Sequence, residues 1–296
     1  MSLIQHFVQP KKILFNLFAL STLVAATQHA SALTWSDNAF GLRYGSDFAE
    51  PYKNNADGSK MDINKKIYSF THSSGYSYGT NFLNVDFLQS DDEVYGGISD
   101  KANEKGTKEV YVVYRNNIDI GKVINKDLSS TGIRGYALTA GFDANTKNDA
   151  YGSKKRMWVV GPTINFDVPG FLSLSALAFF ESNKPKGIDS RYNYDPHAAI
   201  QLTWGIPIAK TPLSFEGYAL WIDSKGKNEF GDKTSAETNI DAMLMYDLSP
   251  LIWGKNDKTL RVGAEYQYWH NKFGNPTEGN KGATANTPMV RVDFHF

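Results

Sequence analysis

The chain has no cysteine, so a disulfide framework and a thiol nucleophile are both excluded. It has no excess of either charge: 31 Lys and Arg stand against 31 Asp and Glu. Nothing draws it to a phosphate backbone, and nucleic acid is set aside as a partner. Long apolar runs are also missing. The one clear run, Ile13 to Ala26, is interrupted by Asn16, Ser21 and Thr22 and falls short of the ~20 residues that a membrane-crossing helix needs. If the chain crosses a bilayer at all, it must do so as a closed barrel, because lipid leaves no other way to pair the backbone.

That short run fits a secretory signal instead. Lys11 and Lys12 precede it, and Ala30-Ser31-Ala32 supplies a small-x-small cleavage site. Residues 1–32 are therefore expected to be a signal peptide and residues 33–296 a single domain. Loss of the two lysines leaves the mature chain, beginning near Leu33, at a formal charge of −2. No repeat with a period of ~20–50 residues divides it.

Alternation is what the sequence does have. In the last stretch Val290, Val292, Phe294 and Phe296 share one register, and Met289, Arg291, Asp293 and His295 share the other. Successive side chains on a strand point to opposite faces. Such a strand has one apolar and one charged side, as a wall between lipid and a wet lumen requires. Twelve stretches of this kind follow one another: Asn38–Ser46, Ile67–His72, Tyr78–Gln89, Glu109–Asn116, Arg134–Asp143 and Arg156–Phe166, then Phe171–Glu181, His197–Ile206, Leu213–Asp223, Asn239–Asp247, Thr259–Trp269 and Met289–Phe296. Most approach the ~9–11 residues of a tilted transmembrane strand. Long polar segments follow the odd-numbered stretches and short ones several of the even, including the turn Asp167-Val168-Pro169-Gly170. Long loops outside and tight turns in the periplasm produce that asymmetry. Only Asn117–Ile133 and Leu248–Lys258 are too long for tight turns. Trp35, Tyr44, Tyr78, Trp158, Trp204, Trp221 and Trp253 lie near strand ends, as interfacial girdles would place them. The fold class expected is an all-β, antiparallel up-and-down transmembrane barrel in the outer membrane of a Gram-negative cell.

The polar register nominates lumen residues. It contains Arg43, Asp86, Glu109, Arg115, Glu216, Asp241, Arg261, Glu265, Arg291 and Asp293, with Asn84, Asp143, Glu181, His197 and Gln201 beside them. Both signs occur even on one strand, which suits neutral dipolar solutes better than a filter for one charge. Tyr111, Phe171, Phe179, Tyr218 and Trp269 fall in the same register. They are either stacking surfaces for flat solutes or plain packing inside a mid-sized barrel.

Enzyme chemistry has little to stand on. His72-Ser73-Ser74 brings an imidazole near hydroxyls, but no G-x-S-x-G accompanies it. The six histidines lack H-x-x-x-H spacing. Asn54-Asn55-Ala56-Asp57-Gly58 and Asp91-Asp92-Glu93 are oxygen-rich without the full calcium-loop pattern. No cofactor is implied.

Several short stretches resemble the nucleoside-specific channel-forming family of the outer membrane, often called Tsx-like. They are Gly41-Leu42-Arg43-Tyr44-Gly45, Tyr78-Gly79-Thr80-Asn81-Phe82 with Asn84 and Asp86, and Glu109-Val110-Tyr111-Val112-Val113-Tyr114-Arg115. Gly205-Ile206-Pro207-Ile208, Tyr268-Trp269-His270-Asn271 and the Phe-terminated last strand complete the set. On the second strand Ser69 and Thr71 stand where the well-known member carries acids. The resemblance implies a monomeric twelve-stranded barrel passing nucleosides by facilitated diffusion, with Arg43, Asp86, Glu109, Arg115 and Trp269 as pore-lining positions. Two other readings compete: a surface receptor or adhesin whose lumen is plugged, and a barrel hydrolase.

Overall fold

Hydrogen-bonded strands are how the alternating stretches satisfy their backbone, and twelve long ones form. The computed structural model describes residues 33–55, 57–91, 106–255 and 257–296. The expected signal, residues 1–32, lies outside them, as do Ala56, Asp92 and Glu93 of the oxygen-rich loops. The strands are β1 (Trp35–Phe48), β2 (Ile63–Tyr76), β3 (Gly79–Ser90), β4 (Lys108–Asp119), β5 (Ile133–Lys147), β6 (Arg156–Phe166), β7 (Phe171–Asn183), β8 (His197–Pro207), β9 (Leu213–Ile222), β10 (Glu237–Asp247), β11 (Leu260–His270) and β12 (Thr284–His295). A two-residue strand, Tyr192–Asn193, caps the end of β7. Each strand pairs antiparallel with its sequence neighbours, and β12 returns to pair with β1 from Ala39↔His295 to Gly45↔Met289. The ring is closed, so no edge is left unpaired in the hydrocarbon.

The strands run further than alternation alone indicates. β2 extends to Tyr76 although Ser73-Ser74-Gly75 shows no pattern, because that backbone pairs with Trp35, Ser36 and Asp37. β12 begins at Thr284, upstream of Pro288. Pairing with β1 stops at Gly45↔Met289, while Pro288 sits opposite Tyr266 of β11. A proline is tolerated in a strand where no donor is owed on that side.

Connectors sort by end. The connectors after β1, β3, β5, β7, β9 and β11 are long in sequence, and those strands all end at one rim. Ser77–Tyr78, 167–170 and 208–212 are short and share the other. Gly170 takes φ +78 in the tight turn, and a Cβ there would stand 2.0 Å from the Gly205 carbonyl, so only glycine fits. The two connectors too long for a turn each hold one short helix, α1 (Ile120–Ile124) and α2 (Ser249–Trp253).

The outward register forms a belt. Phe40, Leu42, Tyr44, Tyr68, Phe87, Leu138, Val160, Phe180, Ile200, Phe215, Leu244, Tyr266, Val290, Val292 and Phe294 are all exposed. An unbroken apolar ring on a closed barrel places it in the outer membrane, with lipid rather than water as the outer solvent. Trp204 is an exception among the expected girdle residues. It points outward yet is buried, stacked 5.5 Å from Phe215 and lying against Gly217.

Val290 is 64% exposed in the middle of β12. A Val290→Arg substitution should lower barrel stability in lipid vesicles by about 2–4 kcal/mol, the cost of a cation on the lipid face near the midplane. Asn286→Arg, nearer the rim, should cost less. Denaturant titration of the refolded barrels measures both, and equal effects would mean that the belt is misplaced.

Candidate functional site

Register decides which side chains meet inside the ring, and the sequence-nominated residues all fall on the inward side. Gly41 of β1 shows how tight that side is: a Cβ there would lie 2.7 Å from Asp293 Oδ1 and 3.3 Å from Ser69 Cβ. The absent side chain makes room for a chain of charges. Arg43 Nη2 pairs with Asp86 Oδ2 at 2.6 Å and Arg43 Nη1 with Glu265 Oε1 at 3.2 Å. Glu265 Oε2 accepts Arg291 Nη1 at 3.3 Å, and Arg291 Nε pairs with Asp293 Oδ2 at 2.8 Å. Three carboxylates and two guanidinium groups alternate across β3, β1, β11 and β12. Arg43 also donates to Ser69 Oγ at 3.1 Å. The serine standing where an acid is expected is thus part of the network.

The other nominated residues join smaller groups. Arg261 pairs with Glu216, and both bond Ser214 Oγ. Arg115 Nη1 pairs with Asp143 Oδ1 at 2.5 Å. Glu109 accepts from Asn145 Nδ2 at 2.7 Å and faces Lys147. Asp241 accepts from Gln267 Nε2 at 3.3 Å. Trp269 Nε1 donates to Glu237 Oε1 at 2.6 Å.

These groups fill space that the sequence reading left to water. Arg43, Asp241, Glu265 and Asp293 are all buried. The guanidinium arms of Arg43 and Arg261 reach acids two strands away, so the expected wet lumen is occupied here by paired side chains. The expected stacking rings are engaged as well. The Tyr111 hydroxyl donates to Asp143 Oδ2 at 3.2 Å, and that of Tyr218 accepts from Asn239 Nδ2 at 3.2 Å. Phe179 is fully buried with Met157, Val159, Leu177 and Ala199, against which Leu220 and Ile222 pack. The inner wall of β6 to β9 therefore carries an apolar patch, set among Thr163, Ser175, Glu181, His197 and Glu216 on the same face. Phe171 lies at the mouth, exposed, with its ring under Gly205.

A second charged layer lies towards the long-loop rim; alternation inside the expected strands nominated its Glu181 and His197, but not Glu50 or the lysines around it. Glu50, at the start of the first long loop, turns into the barrel and is 1% exposed. Its carboxylate meets Lys65 Nζ at 2.7 Å, Lys272 Nζ at 3.2 Å and Lys147 Nζ at 3.6 Å. Those lysines come from β2, the last long loop and β5. Lys147 also pairs with Asp149 at 3.4 Å. Nearby, Glu181 pairs with Lys225 at 2.9 Å and Lys155 at 3.5 Å, with His197 Nε2 at 3.9 Å. Continuing the inward register beyond the expected ends of β2 and β5 reaches Lys65 and Lys147. Glu50 and Lys272 are loop residues with no periodic signal. His72, the one imidazole near hydroxyls, bonds Asn38 Oδ1 at 2.8 Å and Ser74 Oγ at 3.1 Å on the outward register.

The charge balance around Glu50 sets its protonation. Burial disfavours its carboxylate, but the summed field of Lys147, Lys272 and Lys65 outweighs this and holds it well below the usual carboxylate range. Burial of the Lys272 ammonium, with Lys65 and Lys147 adding repulsion, outweighs Glu50 and brings it down to about 8. Lys272 also lies 4.7 Å from the Trp269 ring centre and donates to the Ala49 carbonyl at 2.8 Å. The first loop is thereby tied to the last.

Glu50→Gln leaves buried ammonium groups without their shared counter-charge, a loss of about 3–5 kcal/mol. The expected outcome is protease cleavage within segment 49–62 at neutral pH, where the parent resists. In the parent, Glu50 has a depressed folded pKa. Its contribution is whole above about pH 4.3, the unperturbed glutamate value, and is lost as pH falls through the depressed value. Lys272 acts oppositely to a stabilising lysine. The folded chain gives up that proton near pH 8 and the unfolded chain near 10.5, so stability rises with pH between them. Protease resistance that ignores both the substitution and strong acid would refute the tie.

Comparison with known proteins places this geometry. No curated protein matches the chain in sequence. Among solved structures, the COG4313 outer membrane channel from Pseudomonas putida F1 superposes with a TM-score of 0.51 at 10% identity, covering 91% of this chain and 98% of that one. The translocator domain of autotransporter NalP from Neisseria meningitidis gives 0.41 at 10% identity over 95% of each chain. The KdgM porin gives 0.41 at 9% identity over 87% and 99%. The first of these likenesses is one of fold. A family model described as "Putative MetA-pathway of phenol degradation" matches residues 45–273, from the upper end of β1 to the loop after β11. That span is most of the barrel, and the chain belongs to this family rather than showing membership of the nucleoside-specific one.

Proposed function

We propose that the chain is an outer-membrane channel for facilitated diffusion of small solutes, acting as a monomer after removal of residues 1–32. One observation carries this reading: the inward face of a lipid-clad barrel is polar and ion-paired over most of its circumference. A barrel needing only stability gains more from an apolar filling, since buried ion pairs return little net free energy. Charged walls are what a solute path requires.

The solute class follows from the wall. Charged and amide groups line β1 to β4 and β10 to β12, and an apolar patch of Met157, Val159, Leu177, Phe179 and Ala199 lies on β6 to β8. That pairing suits a molecule with a flat apolar face and a polar edge. Nucleosides, expected from the sequence, have this character, with Arg43, Asp86, Glu265 and Gln267 available to their hydroxyls. Hydroxylated aromatics have it too, and the phenol-related description of the family favours testing them beside nucleosides. Passage requires the paired side chains to part, so conductance is small and solute binding weak enough for release.

A receptor with a plugged lumen is the second reading, favoured by the burial of Arg43, Glu265 and Asp241. Planar bilayers separate the two. A channel gives small unitary steps, reduced by adenosine, thymidine or phenol, and Arg43→Ala alters the step size. A barrel that never conducts, and vesicles that no solute enters, would establish the plugged form. Blockade by phenol with indifference to nucleosides would decide the solute class.

A further inference from the structure

The two helices on the short-connector rim are built inside out for water. α1 carries Ile120, Val123 and Ile124, exposed at 37%, 55% and 49%, and its one buried residue is Gly121. α2 carries Leu251, Ile252 and Trp253, exposed at 71%, 52% and 47%, and its one buried residue is Ser249. A helix on a soluble surface buries its bulky apolar residues and exposes its small or polar ones. Here the small residue faces the barrel and the bulky ones face away. Ser249 Oγ accepts from the Leu260 amide at 3.1 Å, which explains its burial.

Both helices continue the lipid belt. The outward register of β4 runs from Tyr114 through Asn116 and Ile118 directly into Ile120, with Leu138 opposite Ile118. That of β10 runs from Leu244 and Tyr246 into Leu248, with Val262 opposite Tyr246 and Leu260 bonded to Leu248. The acids beside the helices turn to backbone amides: Asp119 to Lys122, Asp127 to Ser129 and Asp257 to Thr259. Lys122, Lys126, Lys255 and Lys258 are exposed. They are placed to reach anionic headgroups while the apolar side chains lie in the interface. In the ring of twelve, the β4–β5 and β10–β11 connectors stand six strands apart, on opposite sides of the rim.

We propose that α1 and α2 are interfacial anchors docked on the phospholipid leaflet at the periplasmic face, holding the barrel at fixed depth from two opposed points. The occupant of both surfaces is phospholipid: acyl chains and glycerol under Trp253, Leu251 and Ile252 on one side and under Val123 and Ile124 on the other. Headgroup phosphates meet the lysines.

The test uses the full mature chain in vesicles of phosphatidylethanolamine and phosphatidylglycerol, with Trp253→Phe isolating the Trp253 emission by difference. Lipids spin-labelled near the headgroup should remove at least half of that component, and acrylamide in the water should affect it little. The variant carrying Leu251→Ser, Ile252→Ser, Val123→Ser and Ile124→Ser should still show the heat-modifiable gel mobility of a folded barrel. Its other tryptophans should shift their quenching towards deeper or shallower labels as the depth is released. A Trp253 component quenched by acrylamide and untouched by labelled lipid would overturn the proposal. Shielding seen in cell envelopes but absent in pure phospholipid would equally overturn it, in favour of a periplasmic protein.

Discussion

Hydrocarbon offers no hydrogen bonds, and everything in this molecule follows from that. Each amide and carbonyl at membrane depth must find a partner within the sheet. β12 therefore returns to β1, and β6 and β7 join at a tight turn whose glycine leaves room for the Gly205 carbonyl. Closure forces alternate side chains outward into lipid and inward into one shared space. The belt and the charged interior are two consequences of one constraint.

The interior turns that space into a set of mutual dependencies. Asp86, Arg43, Glu265, Arg291 and Asp293 form one alternating chain, so loss of Arg43 takes Asp86's ion-pair partner and loss of Arg291 takes that of Asp293. Glu50 repeats the logic nearer the outer rim, where a single loop carboxylate neutralises lysines from three separate elements. Its link through Lys272 couples the first and last loops. Any solute path has to run through, or rearrange, these pairs. The apolar sector around Phe179 is different in kind: it packs without charge and gives the wall a second chemical character.

Much of this was legible in the chain. The last strand's two registers, the twelve alternating stretches and the long and short connectors all lead to the barrel, and the inward residues Arg43, Asp86, Glu265, Arg291 and Asp293 were named from parity alone. Parity works because the strand period is two and does not depend on which strand lies next door. It fails where side chains leave the pattern. Ser73-Ser74-Gly75 became strand because a neighbour supplied partners, and the apolar inner sector contradicts the polar face that parity suggested. Parity left Phe179 and Tyr218 open between stacking surfaces and interior packing, and the structure packs the first and hydrogen-bonds the second. The resemblance to nucleoside channels identified the fold correctly, whereas the family match lies elsewhere.

By itself the sequence determined that a closed, lipid-facing sheet forms and which face of each strand looks inward, since both follow from local alternation and the rules of a medium without water. Only the tertiary structure decided who pairs with whom inside. Distances such as Arg43 to Glu265, 222 residues apart, depend on ring size and register around the whole circumference. The same holds for Glu50, whose loop position carries no period and whose lysine partners are assembled only when the ring shuts.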